Sequence, residues 1–172
     1  MRIFEYIQQG GTIMYILLAL NIVGFAIMIS KFFVYSKENE NSSSAAESMG
    51  NKIAAQLGGK DANTKMELAR QELAGYVHVL EKGLNTVKII ASISPLLGLL
   101  GTVIGVLVAF RVMSETGLNN PATFAQGISL ALITTVGGMI VAIPHFVGHN
   151  YLLGMLDKIE SNLEKELFKK VL

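Results

Sequence analysis

Three long apolar runs separated by polar chain organise this sequence. The first is Thr12 to Ser30, extended backwards by the uncharged stretch from Tyr6 and closed by Lys31, Phe32, Phe33 and Tyr35. The second, Ile89 to Phe110, reads IIASISPLLGLLGTVIGVLVAF and carries no charge between Lys88 and Arg111. The third, Phe124 to Phe146, reads FAQGISLALITTVGGMIVAIPHF. About 20 apolar residues cross a hydrocarbon core of about 30 Å, so each run predicts a membrane-spanning helix. The first also invites reading as a secretory signal peptide. It is too long for that, no small-x-small cleavage pattern follows, and its aromatic and lysine border marks a membrane interface.

Small residues in the second span fall at Ala91, Ser94, Gly98, Gly101, Gly105 and Ala109, at steps of three and four that line one helix face. The third span has its own stripe in Gly127, Ala131, Thr135, Gly138 and Ala142. In lipid, where tails are as apolar as leucine, such stripes let backbones approach closely. They are read here as helix-packing and pore-lining faces. Thr102, Thr134 and Thr135 place three hydroxyls near mid-depth. Either each bonds back to a carbonyl one turn earlier, or together they line a polar path. Pro95 frees the carbonyl of Ala91 and Pro144 that of Ile140, predicting either local kinks or water-lined bends. His145 and His149 stand one turn apart, but no third ligand is evident. They read as interfacial polar residues, with no metal site and no cofactor expected.

The polar chain between the spans predicts the remaining organisation. Residues 36–63, opening with KENENSSSAAESMGNK and closed by Gly58 and Gly59, read as a linker or a marginal helix. Thr64 to Glu67 is a capping-box signature. After it Ala69, Leu73, Tyr76, Leu80, Leu84 and Val87 recur on one face. One rod over 64–110, roughly 70 Å long at 1.5 Å per residue, is expected, interrupted only by Pro95. Residues 111–122 form a loop, 123–151 the third span, and 152–172 a terminal helix whose Leu152, Leu156, Ile159, Leu163 and Leu167 continue a stripe. The two extensions are expected to pack antiparallel as a stalk.

With 51% hydrophobic residues and a mean hydropathy of +0.48, little chain is left for a separate soluble domain. The class is an all-α integral membrane protein, with lipid around three spans. A net charge of +1 without a basic cluster argues against nucleic acid, and the absence of cysteine excludes disulfides and thiolate metal sites. Eight Lys/Arg lie between Lys31 and Lys88 and four between Lys158 and Lys170, against Arg2 and Arg111 elsewhere. The positive-inside rule then puts residues 36–88 and the C-terminus in the cytoplasm, with the N-terminus and the 111–122 loop outside. No phosphate loop, nucleophile with its base, or HExxH is present, so no enzyme is expected. No Asp, Glu, Lys or Arg stands inside a span. Proton relays are normally built from such groups, so any titrating acid has to come from another chain.

ASISPLLGLLGTVIGVLVAF followed by GISLALITTVGGMIVAIP resembles the two signature helices of the MotA/TolQ/ExbB proton-channel family, and the short chain is most similar to its ExbB members. The resemblance covers roughly residues 85–155. It implies a bacterial inner-membrane subunit forming a homopentameric ring around a dimer of a single-pass, ExbD-like partner that brings a membrane aspartate. The ring would use the proton motive force to drive a TonB-like protein. Thr102 in GLLGTVIG and Thr135 in ALITTVGG match the family's mid-membrane threonines. Leu130 departs from it: many relatives read GIxEALI where this chain reads GISLALI, so the ring lacks that glutamate, and proton and sodium both stay open as the ion. On the residues alone two classes remain, a gradient-driven motor subunit and a structural scaffold that conducts no ion. A solute transporter is a weaker third, with no internal repeat or central polar site to support it.

Overall fold

The computed structural model describes residues 2–56, 62–117 and 121–171. They form α1 (Arg2–Gln9), α2 (Gly11–Glu40), α3 (Ser42–Gln56), α4 (Ala62–Glu81), α5 (Leu84–Thr116) and α6 (Pro121–Val171), with no strand among the described residues. Helices α2, α5 and α6 contain windows of mean hydropathy 2.4, 2.3 and 1.9, long and apolar enough to cross a bilayer. The protein is an all-α membrane protein.

The chain divides into two compact units. The first comprises Met1–Ala26 and Thr86–Gly148. Its core joins the three spans: Met14 and Leu17 of α2 meet Ile90 of α5 and Val141 of α6, with Ile13, Leu20, Leu97 and Ile133 packed around them. The opposite faces of these helices carry large apolar side chains, Ile22, Leu96, Leu107, Ile140 and Ile143 among them, each more than 60% exposed. In a membrane helix that exposure is met by lipid or by another subunit. Gly11, at a φ of +62°, separates α1 from α2, where the sequence suggests one uninterrupted run from Tyr6. Both α5 and α6 continue through their prolines, Pro95 and Pro144, without a helix break.

The second unit comprises Ile27–Asn85 and His149–Leu172. Here the structure resolves one alternative and departs from one expectation. Of the linker and the marginal helix, the helix is found: α2 runs on to Glu40 and α3 follows after Asn41. The reason is a stripe hidden in serine-rich composition, since Ala46, Met49 and Ile53, at steps of three and four, are all buried. Packing of that stripe overrides weak intrinsic propensity. Gly58 and Gly59 lie outside the described residues. The departure is that the expected rod over 64–110 is two helices. Lys82 and Gly83 form a turn with Gly83 at a φ of +93°, a conformation that ends α4 and that a side chain resists. The Leu80 carbonyl thereby freed accepts hydrogen bonds from Lys31 Nζ and from the buried Tyr35 hydroxyl, each at 2.8 Å. The break is a capped junction.

The expected stripes are buried as the spacing predicts. Ala69, Leu73, Leu80 and Leu84 turn inward, as do Leu152, Leu156, Ile159, Leu163 and Leu167. Beside the two extensions, α3 and the end of α2 share this unit. Asn162 Nδ2 of α6 reaches Asn39 Oδ1 of α2 at 3.4 Å, and Arg70 of α4 stacks over Phe168 of α6 at 6.0 Å.

Tyr76 of α4 donates a hydrogen bond to the Glu38 carboxylate of α2. Burial first, then the hydrogen bond to Glu38 and its negative charge, pushes the Tyr76 phenol up to about 12 from 10.0. The folded chain therefore holds this proton where the unfolded chain has lost it. The associated stability is complete below pH 10 and is lost as pH rises toward 12. Between those values the apparent melting temperature of wild type should fall more steeply than that of Tyr76→Phe, read by circular dichroism at a series of alkaline pH values.

Candidate functional site

The site sits where the small-residue stripes of α5 and α6 meet, inside the first unit. Ala91, Ser94, Gly98, Gly101 and Ala109 of α5 are buried, as are Ala131, Gly138 and Ala142 of α6, while Gly105 and Gly127 are half-buried. The approach leaves no space for side chains. A Cβ at Gly98 would lie 2.7 Å from the Thr134 carbonyl oxygen and 3.0 Å from Thr135 Cα. One at Gly138 would lie 2.5 Å from the Ser94 carbonyl oxygen, and one at Gly105 2.6 Å from Ala131 Cβ. One at Gly127 would meet Ala109 Cβ at 2.8 Å, and one at Gly101 would overlap the Thr134 side chain. Within a single chain the two stripes are thus spent on each other.

This closeness brings the three hydroxyls together around two carbonyls. Thr134 Oγ1 lies 2.7 Å from Ala131 O, three residues back on its own helix, and 3.1 Å from Gly98 O across the helices, two acceptors for its one proton. Thr135 Oγ1 reaches the same Gly98 oxygen at 3.1 Å. Thr102 Oγ1 lies 3.3 Å from Gly98 O and 3.2 Å from Ala131 O, and it is hydrogen-bonded to Thr135 Oγ1. Back-bonding and cross-helix bonding therefore coexist. Gly98 O faces three hydroxyls in addition to its place in the α5 ladder, more donors than two lone pairs accommodate. Not all three can donate to it at once, and Thr134 and Thr102 have the Ala131 oxygen as a second acceptor.

Exposure separates the three. Thr134 is 4% exposed and closed inside the helix contact. Thr102 and Thr135 are half-buried at its edge. A hydroxyl both donates and accepts, so this pair can donate to a carboxylate and accept from a carboxylic acid or a water. Among the described residues no three His, Cys, Asp or Glu side chains converge on a metal geometry.

A cleft of about 300 Å³ opens beside the cluster, walled by Gln9, Thr12, Gly101, Ile104, Leu130 and Thr134. Leu130, the position where the resemblance leads one to expect glutamate, is one of these walls. Sequence reasoning did not join it to Gln9 and Thr12, because nothing local signals that the start of α2 faces α5 and α6 there.

His145 is more enclosed than the sequence reading expects. Read as an interfacial polar group, it is fully buried, with Nδ1 2.7 Å from the Val141 carbonyl oxygen. Its ring meets Phe25 of α2 edge-on at a centroid distance of 5.0 Å. A signal was available: His145 continues the series Thr135, Gly138, Ala142 at the same steps of three and four.

Comparison with known proteins bears on the same helices. An ExbB homolog of Methanothermobacter thermautotrophicus is 32% identical over 197 aligned residues, covering 98% of this chain and 68% of that protein. Biopolymer transport protein exbB1 of Vibrio cholerae is 38% identical over 91 residues, 52% of this chain and 40% of its own length. Biopolymer transport protein ExbB of Aquifex aeolicus is 42% identical over 74 residues, 43% of this chain and 50% of its own length. The chain thus spans about two thirds of the first relative and half or less of the other two. A family model described as the MotA/TolQ/ExbB proton channel family matches residues 36–165, most of the chain and both threonine-bearing helices. The chain belongs to the MotA/TolQ/ExbB proton channel family.

Proposed function

We propose that this chain is the ring-forming subunit of an ion-driven motor of the ExbB type in a bacterial inner membrane. In this reading several copies, a homopentamer, surround single-pass ExbD-like partners, and outer-to-inner ion flow is coupled to a TonB-like protein that powers outer-membrane uptake. The observation that carries it is the Thr102–Thr135 pair, half-buried near mid-span and bonded across α5 and α6, in spans without Asp, Glu, Lys or Arg. The pair can hold a carboxyl group but cannot itself titrate, so the chain supplies the hydrogen-bonding wall and the partner supplies the acid. Stripped of water, that wall strengthens each hydrogen bond to the aspartate and so biases its protonation. Thr134 belongs to the same cluster as the buried brace between helices. The twelve basic residues of 31–88 and 158–170 support a cytoplasmic C-terminus and an outward N-terminus. The chain acts by coupling and not by catalysis.

Native mass spectrometry of the detergent-solubilised complex tests this, with and without a co-expressed single-pass neighbour bearing a membrane aspartate. A ring that captures fewer partner chains than it has subunits is the expected result. A monomer or bundle indifferent to the neighbour would leave the alternative reading, a scaffold that conducts no ion.

A further inference from the structure

His145 is fully buried between spans, yet one of its ring nitrogens has no hydrogen-bond partner. Nδ1 lies 2.7 Å from the Val141 carbonyl oxygen. A carbonyl only accepts, so Nδ1 carries the proton and the neutral ring presents a bare lone pair at Nε2. That nitrogen faces Gly24 of α2 so closely that a Cβ added there would overlap Nε2 and Cδ2. The edge contact with Phe25, at 67° between planes, closes the other side. No ligand fits at Nε2 in this packing, which excludes a metal or small-molecule site.

The surroundings also hold no counter-charge. The stretches 11–30 of α2, 89–110 of α5 and 121–156 of α6 contain no Asp, Glu, Lys or Arg. On α6 the other histidine is His149, one turn further on, and the span tyrosines Tyr15 and Tyr151 are more than half exposed. A second proton on the ring would point an N–H at the Gly24 backbone, with no acceptor and no anion to meet it. Buried donors and charges in that condition are costly. The packing at Gly24 is therefore compatible with one protonation state of His145.

We propose that His145 is a proton-operated latch between α2 and α6: the neutral ring permits the close approach at Gly24, and protonation at Nε2 releases it, letting α2 move away and water or an anion reach the ring. The latch is separate from the threonine cluster. It makes the packing of the first span responsive to pH whether or not this chain lines an ion path.

The chain has no native cysteine, so the full-length protein in lipid nanodiscs can carry spin labels at Ile22→Cys on α2 and Val147→Cys on α6, both exposed positions. Labelled chain is diluted with unlabelled chain so that only distances within one subunit are read. As the pH is lowered from about 8 to about 5, the distance distribution should lengthen by a few ångströms. His145→Asn, which is shorter than histidine and takes up no proton, should hold the short distance throughout. Gly24→Ala should give the long distance at the upper pH, and Gly24→Ala with His145→Ala should restore the short one. Imidazole nitrogen NMR of the unsubstituted chain, which has three histidines, gives an independent reading. The His145 signal, identified by its loss in His145→Asn, should show Nδ1–H and bare Nε2 at the upper pH and protonate over the range in which the distance changes. The proposal is overturned if His145 protonates at constant distance, stays neutral throughout, or carries its proton on Nε2, and equally if the change persists in His145→Asn.

Discussion

Gly138→Ala should destabilise the chain, while Gly154→Ala on the same helix should be neutral or stabilising. At Gly138 the new Cβ would lie 2.5 Å from the Ser94 carbonyl oxygen and 3.1 Å from Gly98 Cα. Both are backbone atoms of α5, so relief requires the helices to move apart rather than a side chain to rotate. Overpacking of this kind costs about 1–3 kcal/mol, and Gly138→Val should cost more. Separation would also lengthen the bonds from Thr134 and Thr135 to Gly98 O. At Gly154 nothing lies within 4 Å of the added Cβ, and alanine gains about 0.5–1 kcal/mol over glycine in a helix interior. Thermal unfolding of the detergent-solubilised variants, followed by circular dichroism, decides between opposite signs. Equal effects at the two positions would mean that α5 and α6 are not packed glycine against glycine.

The largest functional effect is expected from Thr102→Val combined with Thr135→Val. Valine keeps the shape of threonine and removes the hydroxyl, so the double variant should assemble but lose ion-driven work. A hydrogen bond to a charged group is worth about 1.5–3 kcal/mol, which corresponds to a loss of about tenfold or more. Thr134→Val makes the internal comparison. Its hydroxyl is closed inside the helix contact, so removing it should lower stability by about 1 kcal/mol while leaving coupling largely intact. Gradient-driven uptake in cells carrying each variant, normalised to assembled complex, separates the outcomes. Full activity in the double variant would make Thr102 and Thr135 packing groups and favour the scaffold.

Much of the site was legible in the sequence because its signals are periodic. Gly98, Gly101 and Gly105 on one span and Ala131, Thr135 and Gly138 on the other repeat at helical spacing, and in lipid such a stripe needs a partner surface. That Thr102, Thr134 and Thr135 share a depth followed from rise per residue alone. What the pattern left open was where each hydroxyl points. Only the helix contact shows that all three gather on Gly98 O, that Thr134 is sealed, and that Thr102 and Thr135 remain within reach.

By itself the sequence determined the three spans, the all-α class, the two facing stripes, and the lack of an Asp, Glu, Lys or Arg within them. All of these follow from how many apolar residues stand together and at what period. Tertiary structure decided the rest. It made a helix of 42–56, whose three inward residues are outnumbered by serine, glycine and asparagine. At Gly83 it broke the expected rod, because a positive φ is tolerated there and the freed Leu80 carbonyl finds Lys31 and Tyr35. It placed His145 against Gly24, a contact between residues 121 positions apart. Local pattern records which face of a helix is buried; what covers that face is set by chain that is near in space and far in sequence.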